Sequence, residues 1–159
     1  MEIIILGKII NTLFNTVSGK KITFLGWAFK KDTNDTRESA SIYVAEILIE
    51  DGAEIHVYDP KVSREKIKMD MRNLWELKGI IEEVILRKLA QIIVYNEPSE
   101  AAKNSHAIAI LTEWGEFKNY DWTSIYKEMY KPAFIFDGRG ILDADKFKEI
   151  GFDFYSIGK

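Results

Sequence analysis

The sequence predicts an α/β fold in which a parallel β-sheet is covered by helices on both faces and is preceded by an N-terminal helix. Two observations lead to this prediction. Short apolar runs of strand length recur along the chain, and between them apolar residues recur every three or four positions, which is typical of helices. Strands joined through helices of this length form parallel pairs with right-handed crossovers. The predicted architecture is therefore Rossmann-like.

Composition bounds the kind of protein this is. The 159 residues are 47% hydrophobic, enough for one domain with a buried core. A formal charge of -3 argues against non-specific nucleic-acid binding. No apolar run is long enough to span a membrane and the N-terminus has no signal-peptide pattern, so we expect no membrane partner and a cytoplasmic location.

Some site chemistries are excluded by residue content. The chain has no cysteine, which rules out a disulfide framework and a thiolate zinc site. Its two histidines lie fifty residues apart and offer no metal-ligand spacing, so no metal site is expected. Neither histidine accompanies a serine at a nucleophile elbow, and we predict no catalytic triad.

The first predicted element is a helix over residues 3–17 that ends before Gly19. Its apolar residues fall at helical spacing: Leu6, Ile9, Ile10, Leu13, Phe14 and Val17. The first residues, M-E-I-I-I-L-G, could equally form a strand.

A strand, a loop and a helix follow, and together they predict an anion site. The strand covers Ile22 to Leu25 and ends at Gly26, where the chain turns. Asp35 and Glu38 have the spacing of a capping box, and Thr36 is a second candidate cap. Ser39 is likewise expected to be a cap and not a catalytic residue. A cap at Asp35 or Thr36 places Arg37 on the first helical turn, near backbone N–H groups that can bind phosphate.

The remaining elements alternate between strands and helices. We predict strands at Glu54–Tyr58, Ile92–Val94, Ala107–Leu111, Ala133–Phe136 and Phe152–Ile157. Predicted helices begin after Ser63, near Ser99, after Asp121 and at Ala144, and the shape of the region 74–90 is left open.

Polar residues follow several of these strands, at the sheet edge where ligands bind in open α/β folds. Asp59 could hold a ribose hydroxyl or form an ordinary turn with Pro60. His56 is expected to be a packed residue or an edge residue. Gly138 lets the chain turn after the fifth strand, so that Arg139 can point into the same crevice.

Four sequence blocks resemble the C-terminal domain of the UDP-glucose/GDP-mannose dehydrogenase family, in particular of its UDP-glucose-oxidising members. They read F-L-G-W-A-F-K-K-D-T-N-D-T-R-E-S at 24–39, V-Y-D-P-K-V at 57–62, L-T-E-W at 111–114 and F-I-F-D-G-R at 134–139. They occur in the family's order and span most of the chain; the region 64–90 contributes least.

The resemblance implies a domain organisation. Residues 1–18 would be the end of a helix that links two dinucleotide-binding-like halves, and residues 19–159 the UDP-sugar-binding Rossmann-like domain. The chain would then match about the last third of an enzyme that converts UDP-glucose to UDP-glucuronate with two NAD. The catalytic cysteine and the G-x-G-x-x-G fingerprint of that enzyme are absent from the 159 residues. We therefore expect no catalytic residue here and NAD bound mainly elsewhere. The resemblance also implies a homo-oligomer of the full-length protein.

The resemblance also assigns roles to four residues. Phe29, Lys30 and Arg139 would contact the UDP-sugar, and Arg37 would reach the phosphates of NAD. Each residue has an alternative role. Phe29 could be a core aromatic, and Lys30 could be a solvated charge, as is expected for Lys31. Arg37 could form an ion pair with Asp35 or Glu38, and Arg139 could form one with Asp137 or Asp143. Gly140 stands where the family often has a second basic residue.

Two points stay open at this stage. The block Thr112-Glu113-Trp114 has no chemical role that the sequence reveals, and packing or assembly is the expectation. The chain could be the sugar-nucleotide-binding part of the enzyme or a non-catalytic module for UDP-sugar binding or for oligomer assembly.

Overall fold

The computed structural model describes residues 2–12 and 16–156. Seven α-helices are described: α1 Glu2–Thr12, α2 Ala40–Glu50, α3 Arg64–Leu77, α4 Glu82–Leu89, α5 Pro98–Ala102, α6 Trp122–Lys127 and α7 Ala144–Ile150. Six strands are described: β1 Lys21–Leu25, β2 Glu54–Tyr58, β3 Ile92–Val94, β4 Ala107–Ile110, β5 Phe134–Asp137 and β6 Asp153–Ser156.

The strands form one parallel sheet in the order β3-β2-β1-β4-β5-β6. The chain moves outward from β1 to β3, returns through α5 to β4, and then moves outward to β6. Right-handed crossovers place α2, α3 and α4 on one face and α5, α6 and α7 on the other. The predicted Rossmann-like fold is confirmed.

The centre of the sheet is apolar on both faces. Ile22, Phe24 and Leu25 of β1 are buried, as are all four residues of β4. Strands covered by helices on both sides carry continuous apolar runs, because neither face meets water. The strands at the middle of the sheet are therefore rigid supports for the loops that leave them.

The described part of the N-terminal helix is α1, Glu2–Thr12, which packs against α2 with Ile9 fully buried. Leu13 and Phe14 of the predicted helix lie outside the described residues. Val17, the last residue of the predicted helix, is not helical; it is buried, and its N–H donates to the Asp51 carboxylate at 3.0 Å.

Most strand predictions hold to within one residue, and the helix boundaries differ more. Ser63 caps α3 as predicted, but α3 continues to Leu77, and a separate helix, α4, fills much of the region left open. The break between them contains Gly79 with φ +77°. The last strand ends at Ser156, and the predicted Ile157 lies outside the described residues.

Candidate functional site

The loops that follow β1, β2, β4 and β5 meet at one edge of the sheet. Strands β1 and β4 are neighbours in the sheet, and the strand order reverses between them. The strands that follow β1 lie on one side of it, and the strands that follow β4 lie on the other side. Open α/β folds bind ligands outside the carboxyl ends of strands at such a point. We call this edge the carboxyl rim and define it by the loops 26–39, 59–63, 111–115 and 138–143.

Asp59 holds the loop that follows β1. Its Oδ2 accepts hydrogen bonds from the N–H groups of Trp27 at 2.7 Å and Ala28 at 3.0 Å. Its Oδ1 accepts from the N–H groups of Lys61 and Val62. Asp59 is 7% exposed and its oxygens are occupied within the protein, so the turn interpretation is right and the ribose-binding alternative is wrong.

The block Thr112-Glu113-Trp114 holds the same loop from the other side. Thr112 Oγ1 donates to the carbonyl of Ala28 at 2.7 Å, and Trp114 Nε1 donates to Asp59 Oδ2 at 3.2 Å. A Cβ atom at Gly26, where φ is +106°, would lie only 2.4 Å from Thr112 Oγ1. Thr112 and Trp114 therefore have the expected packing role. Thr112 holds the loop that carries Phe29 and Lys30 directly, and Trp114 holds it through Asp59.

The start of α2 differs from the prediction. The N-cap is Ser39, whose Oγ accepts from the N–H of Ser41 and donates to the carbonyl of Trp27 at 2.7 Å. The predicted capping box of Asp35 and Glu38 is wrong. Glu38 has φ +59°, in the left-handed region, which directs the chain into a turn before the helix. The buried Ser39 thus ties the helix start to the loop.

Phe29 and Lys30 lie at the exposed tip of this loop. The N–H of Phe29 donates to the carbonyl of Asp35 at 2.9 Å, which closes the loop at its base. The Phe29 ring is 39% exposed, so its alternative as a core aromatic is wrong. The Lys30 Nζ lies 5.4 Å from the centre of the Phe29 ring, which leaves the ammonium at the surface beside an apolar group.

Arg139 is held at the end of β5 by a tight turn. The buried Asp137 carboxylate accepts from the N–H groups of Arg139 at 3.0 Å, Gly140 at 2.8 Å and Leu142 at 2.8 Å. The Arg139 side chain forms its ion pair with Glu113, at 3.0 Å between Nη2 and Oε1. The predicted pairing with Asp137 or Asp143 is wrong. The oxygens of Asp137 accept the hydrogen bonds of the turn, and Asp143 caps α7.

Phe29, Lys30 and Arg139 therefore project from loops that share one support. Thr112 contacts the loop carrying Phe29 and Lys30, and the next residue, Glu113, contacts Arg139. Strand β4 lies between β1 and β5, so both loops flank the same neighbour.

Arg37 occupies a different part of the carboxyl rim. It precedes α2 instead of starting it, and its guanidinium forms hydrogen bonds to Asp35 at 2.7 and 3.0 Å, as the ion-pair alternative predicted. These bonds lower the pKa of Asp35 from 3.8 to about 2. The Arg37 side chain is 86% exposed. It lines a polar cavity of about 670 Å³ together with Lys61 and Lys66 from the end of β2 and the start of α3.

Sequence reasoning missed several residues of the carboxyl rim. Ser41 Oγ donates to the carbonyl of Gly26 at 3.0 Å from inside α2, and the part played by Asp59 was larger than expected. His56 is packed, as predicted, between the carboxylate of Glu54 and the hydroxyl of Tyr95.

Among residues 2–12 and 16–156, no cluster of histidine and acidic side chains has the arrangement of a metal site. No helix within these ranges has the length and apolar character needed to cross a membrane.

Comparison with known protein families decides the relationship. The family model described as the UDP-binding domain of the UDP-glucose/GDP-mannose dehydrogenase family matches residues 23–144. The chain belongs to this family. The matched range contains all four loops of the carboxyl rim, so the rim belongs to the UDP-binding domain.

Individual relatives agree with this assignment. The chain is 48% identical over 154 residues to the UDP-glucose 6-dehydrogenase of Pongo abelii and 46% identical over 156 residues to UDP-glucose 6-dehydrogenase 1 of Arabidopsis thaliana. Each match covers 96% of this chain and only 30% or 32% of the relative. The chain thus spans about a third of the length of these relatives.

Solved structures give the same result for the fold. The UDP-D-ManNAc dehydrogenase from Pyrococcus horikoshii matches with a TM-score of 0.68 at 26% identity, over 98% of this chain and 29% of the matched chain.

Proposed function

We propose that this chain is the UDP-sugar-binding C-terminal part of an NAD-dependent enzyme that oxidises UDP-glucose to UDP-glucuronate. The family assignment and the relatives called UDP-glucose 6-dehydrogenase support the proposal. The chain corresponds to about 30% of such a relative, so the substrate and the overall reaction are inferred from the longer proteins. In the proposal, residues 1–18 are the end of the segment that links this domain to the rest, and α1 is the helical part of that segment.

One observation supports the proposed binding site most strongly. The loop with Lys30 is held by Thr112, and Arg139 is held by the next residue, Glu113. A diphosphate carries its charge on several oxygens within a short distance. An ammonium and a guanidinium held on one support can bind those oxygens through charge-assisted hydrogen bonds, each contributing about 1.5–3 kcal/mol. The exposed Phe29 ring then lies against the bound nucleotide sugar and excludes water from one side of it.

Arg37 is proposed to contact the phosphates of NAD. Its exposed guanidinium is accessible to a dinucleotide bound by another part of the polypeptide, and Lys61 and Lys66 line the same polar cavity. A guanidinium has donors beyond those that Asp35 occupies, and its planar fork suits phosphate oxygens. NAD would supply the hydride acceptor for the oxidation.

The chain by itself should not catalyse the reaction. Oxidation of an alcohol to a carboxylate in this family proceeds through a thioester on a cysteine, and the 159 residues contain none. Incubation of the chain with UDP-glucose and NAD should produce no NADH above the rate without protein. Sustained NADH formation that scales with chain concentration would overturn this part of the proposal.

Titration calorimetry tests the binding function directly. The chain should bind UDP-glucose and UDP, and it should bind inorganic phosphate far more weakly, since phosphate lacks the uridine and the second phosphoryl group. Heat signals no larger for UDP-glucose than for phosphate would contradict the proposal. The homo-oligomer and the cytoplasmic location of the full-length protein remain predictions from the family resemblance.

A further inference from the structure

Glu113 lies in the loop of the carboxyl rim that follows β4, and its side chain forms an ion pair with Arg139. Its neighbours Thr112 and Trp114 are buried and hydrogen-bonded, so the backbone that carries Glu113 is fixed on both sides. Arg139 is equally fixed at its backbone, through the turn that Asp137 stabilises. The two side chains are 28% and 27% exposed, so both are partly accessible to solvent at the carboxyl rim.

The geometry of this pair is unusual for a carboxylate and a guanidinium. Glu113 Oε1 lies 3.0 Å from Arg139 Nη2, yet this oxygen is shielded from solvent and accepts no hydrogen bond within the described part of the chain. The ion pair joins this oxygen to one nitrogen of the guanidinium, whose other N–H donors can bind a ligand.

A carboxylate beside the arginine that binds the phosphates has a consequence for ligand choice. It repels every negative charge that approaches Arg139, and the repulsion increases with the charge of the ligand. Each phosphate of a nucleotide sugar has one ester bond and shares the anhydride bond, so each carries one ionisable oxygen and a single charge. The terminal phosphate of a free nucleoside diphosphate ionises a second time, with a pKa of about 6.

We propose that Glu113 is a specificity-determining residue that makes this site favour a nucleotide sugar over the corresponding free nucleoside diphosphate. The inference rests on the proposed binding function, and it adds a residue and a selection rule to that function. Glu113 lowers the affinity for UDP because UDP brings an additional charge next to the carboxylate. The same carboxylate affects UDP-glucose much less, since its phosphates cannot ionise further.

The test compares the dissociation constants of UDP and UDP-glucose for the wild-type chain and for Glu113→Gln, which removes the charge and keeps the shape. We expect UDP to bind about tenfold more tightly to the variant near neutral pH, from removal of one nearby like charge. The readout is the ratio of the two dissociation constants, because loss of the ion pair with Arg139 acts on the binding of both ligands and the charge repulsion acts mainly on UDP. Glu113→Asp should restore selectivity toward the wild-type ratio, because it restores the charge.

A matched control lies just beyond this loop. Glu116 accepts hydrogen bonds from the hydroxyls of Tyr58 and Tyr120, and no ion pair joins it to Arg139 among the described residues. Glu116→Gln removes the same charge from the domain and should leave the ratio of the two dissociation constants unchanged. An equal change in both variants would show a general charge effect and would overturn the proposal.

The pH dependence separates a charge effect from a structural one. For the wild type, the ratio of the UDP to the UDP-glucose dissociation constant should rise as the pH increases through about 6, where the terminal phosphate ionises. In Glu113→Gln the rise should be clearly smaller. Equal pH dependence in the two proteins would contradict the proposal even if Glu113→Gln altered both affinities.

Failure of the inference can be told apart from failure of the proposed function. Suppose that Arg139→Ala weakens UDP-glucose binding and Glu113→Gln leaves the ratio of the UDP and UDP-glucose dissociation constants unchanged. The proposed binding site would then be supported, and the proposed role of Glu113 would be wrong. If the wild type and Glu113→Gln bind neither nucleotide, both proposals fall for this chain. Binding of UDP that appears only in Glu113→Gln would support the inference.

Discussion

The carboxylate of Asp59, at the end of β2, accepts a 2.7 Å hydrogen bond from the backbone N–H of Trp27 in the loop after β1. The same Oδ2 also accepts from the indole of Trp114, in the loop after β4. One buried side chain thereby links three loops of the carboxyl rim. The positions of Phe29 and Lys30 depend on a residue that need not touch the ligand.

Substitution of Asp59 by alanine should destabilise the whole domain. It would leave several buried N–H donors without an acceptor, at an expected cost of about 3–5 kcal/mol in the free energy of unfolding. Urea denaturation followed by tryptophan fluorescence measures this. As a control, Glu149→Ala on the exposed side of α7 should change the free energy by less than about 0.5 kcal/mol. A loss for Asp59→Ala as small as that of the control would show that the linkage is unimportant.

Gly26→Ala should be among the most damaging small substitutions in the chain. The added Cβ would lie 2.4 Å from Oγ1 and 2.6 Å from the backbone nitrogen of Thr112, and the φ of +106° is unfavourable for alanine. We expect a loss of at least about 3 kcal/mol in unfolding free energy, or failure to fold.

Gly115→Ala is the matched control for Gly26, because a Cβ at Gly115 would meet nothing within 4 Å. Its free energy of unfolding should stay within about 1 kcal/mol of the wild type. Similar effects at both glycines would contradict the close packing of the loops after β1 and β4.

Several features of this site could be predicted from the sequence, because they depend on local patterns. The strand β2 follows from alternation, and the caps Ser63 and Asp121 follow from capping chemistry. The convergence of Lys30 and Arg139 on one edge followed from parallel strands. These inferences need no knowledge of which distant side chains meet.

The missed features depend on contacts between residues far apart in the chain. Asp35 and Glu38 have the spacing of a capping box, but tertiary hydrogen bonds from Ser39 and Ser41 to the carbonyls of Trp27 and Gly26 determine where α2 begins. Asp before Pro indicated a turn at Asp59, and nothing local indicated that its second oxygen would serve another loop. The pairing of Arg139 with Glu113, and not with Asp137, likewise depends on strand order.

Removal of Arg37 should raise the pKa of Asp35 and leave the fold almost unchanged. The Arg37 side-chain hydrogen bonds lower this pKa to about 2, so Arg37→Ala should return it toward the ordinary value of 3.8. Carbon-detected NMR titration of the Asp35 carboxyl measures the change. The midpoint of urea unfolding should stay almost unchanged, because the pair is at the surface. An unaltered Asp35 pKa would contradict the ion pair.

Folding stability should decrease as the pH falls below about 6.5. Burial lowers the pKa of both His56 and His106 from 6.5, partly opposed in His56 by the hydrogen bond to Glu54. In the window between the folded pKa values and 6.5, the unfolded chain binds more protons than the folded chain, so protonation favours unfolding. The histidine contribution is therefore fully present above that window and is lost as the pH decreases through it.

Urea denaturation at about pH 7.5 and about pH 5.5 checks this dependence. His56→Asn should be less stable than the wild type at both values, because contacts of the ring are lost, and it should lose less stability between them. A wild-type stability that rises toward the lower pH would show that the histidine pKa values are raised in the folded state.

The most direct test of the account is titration calorimetry of UDP-glucose with Lys30→Ala and Arg139→Ala, beside the control Lys31→Ala. We predict that each of the first two weakens binding by at least about tenfold, the effect of losing one charge-assisted hydrogen bond. The control, which removes an equal charge from the next residue of the same loop, should bind within about threefold of the wild type. Equal affinities for all four proteins would contradict a shared phosphate site formed by Lys30 and Arg139.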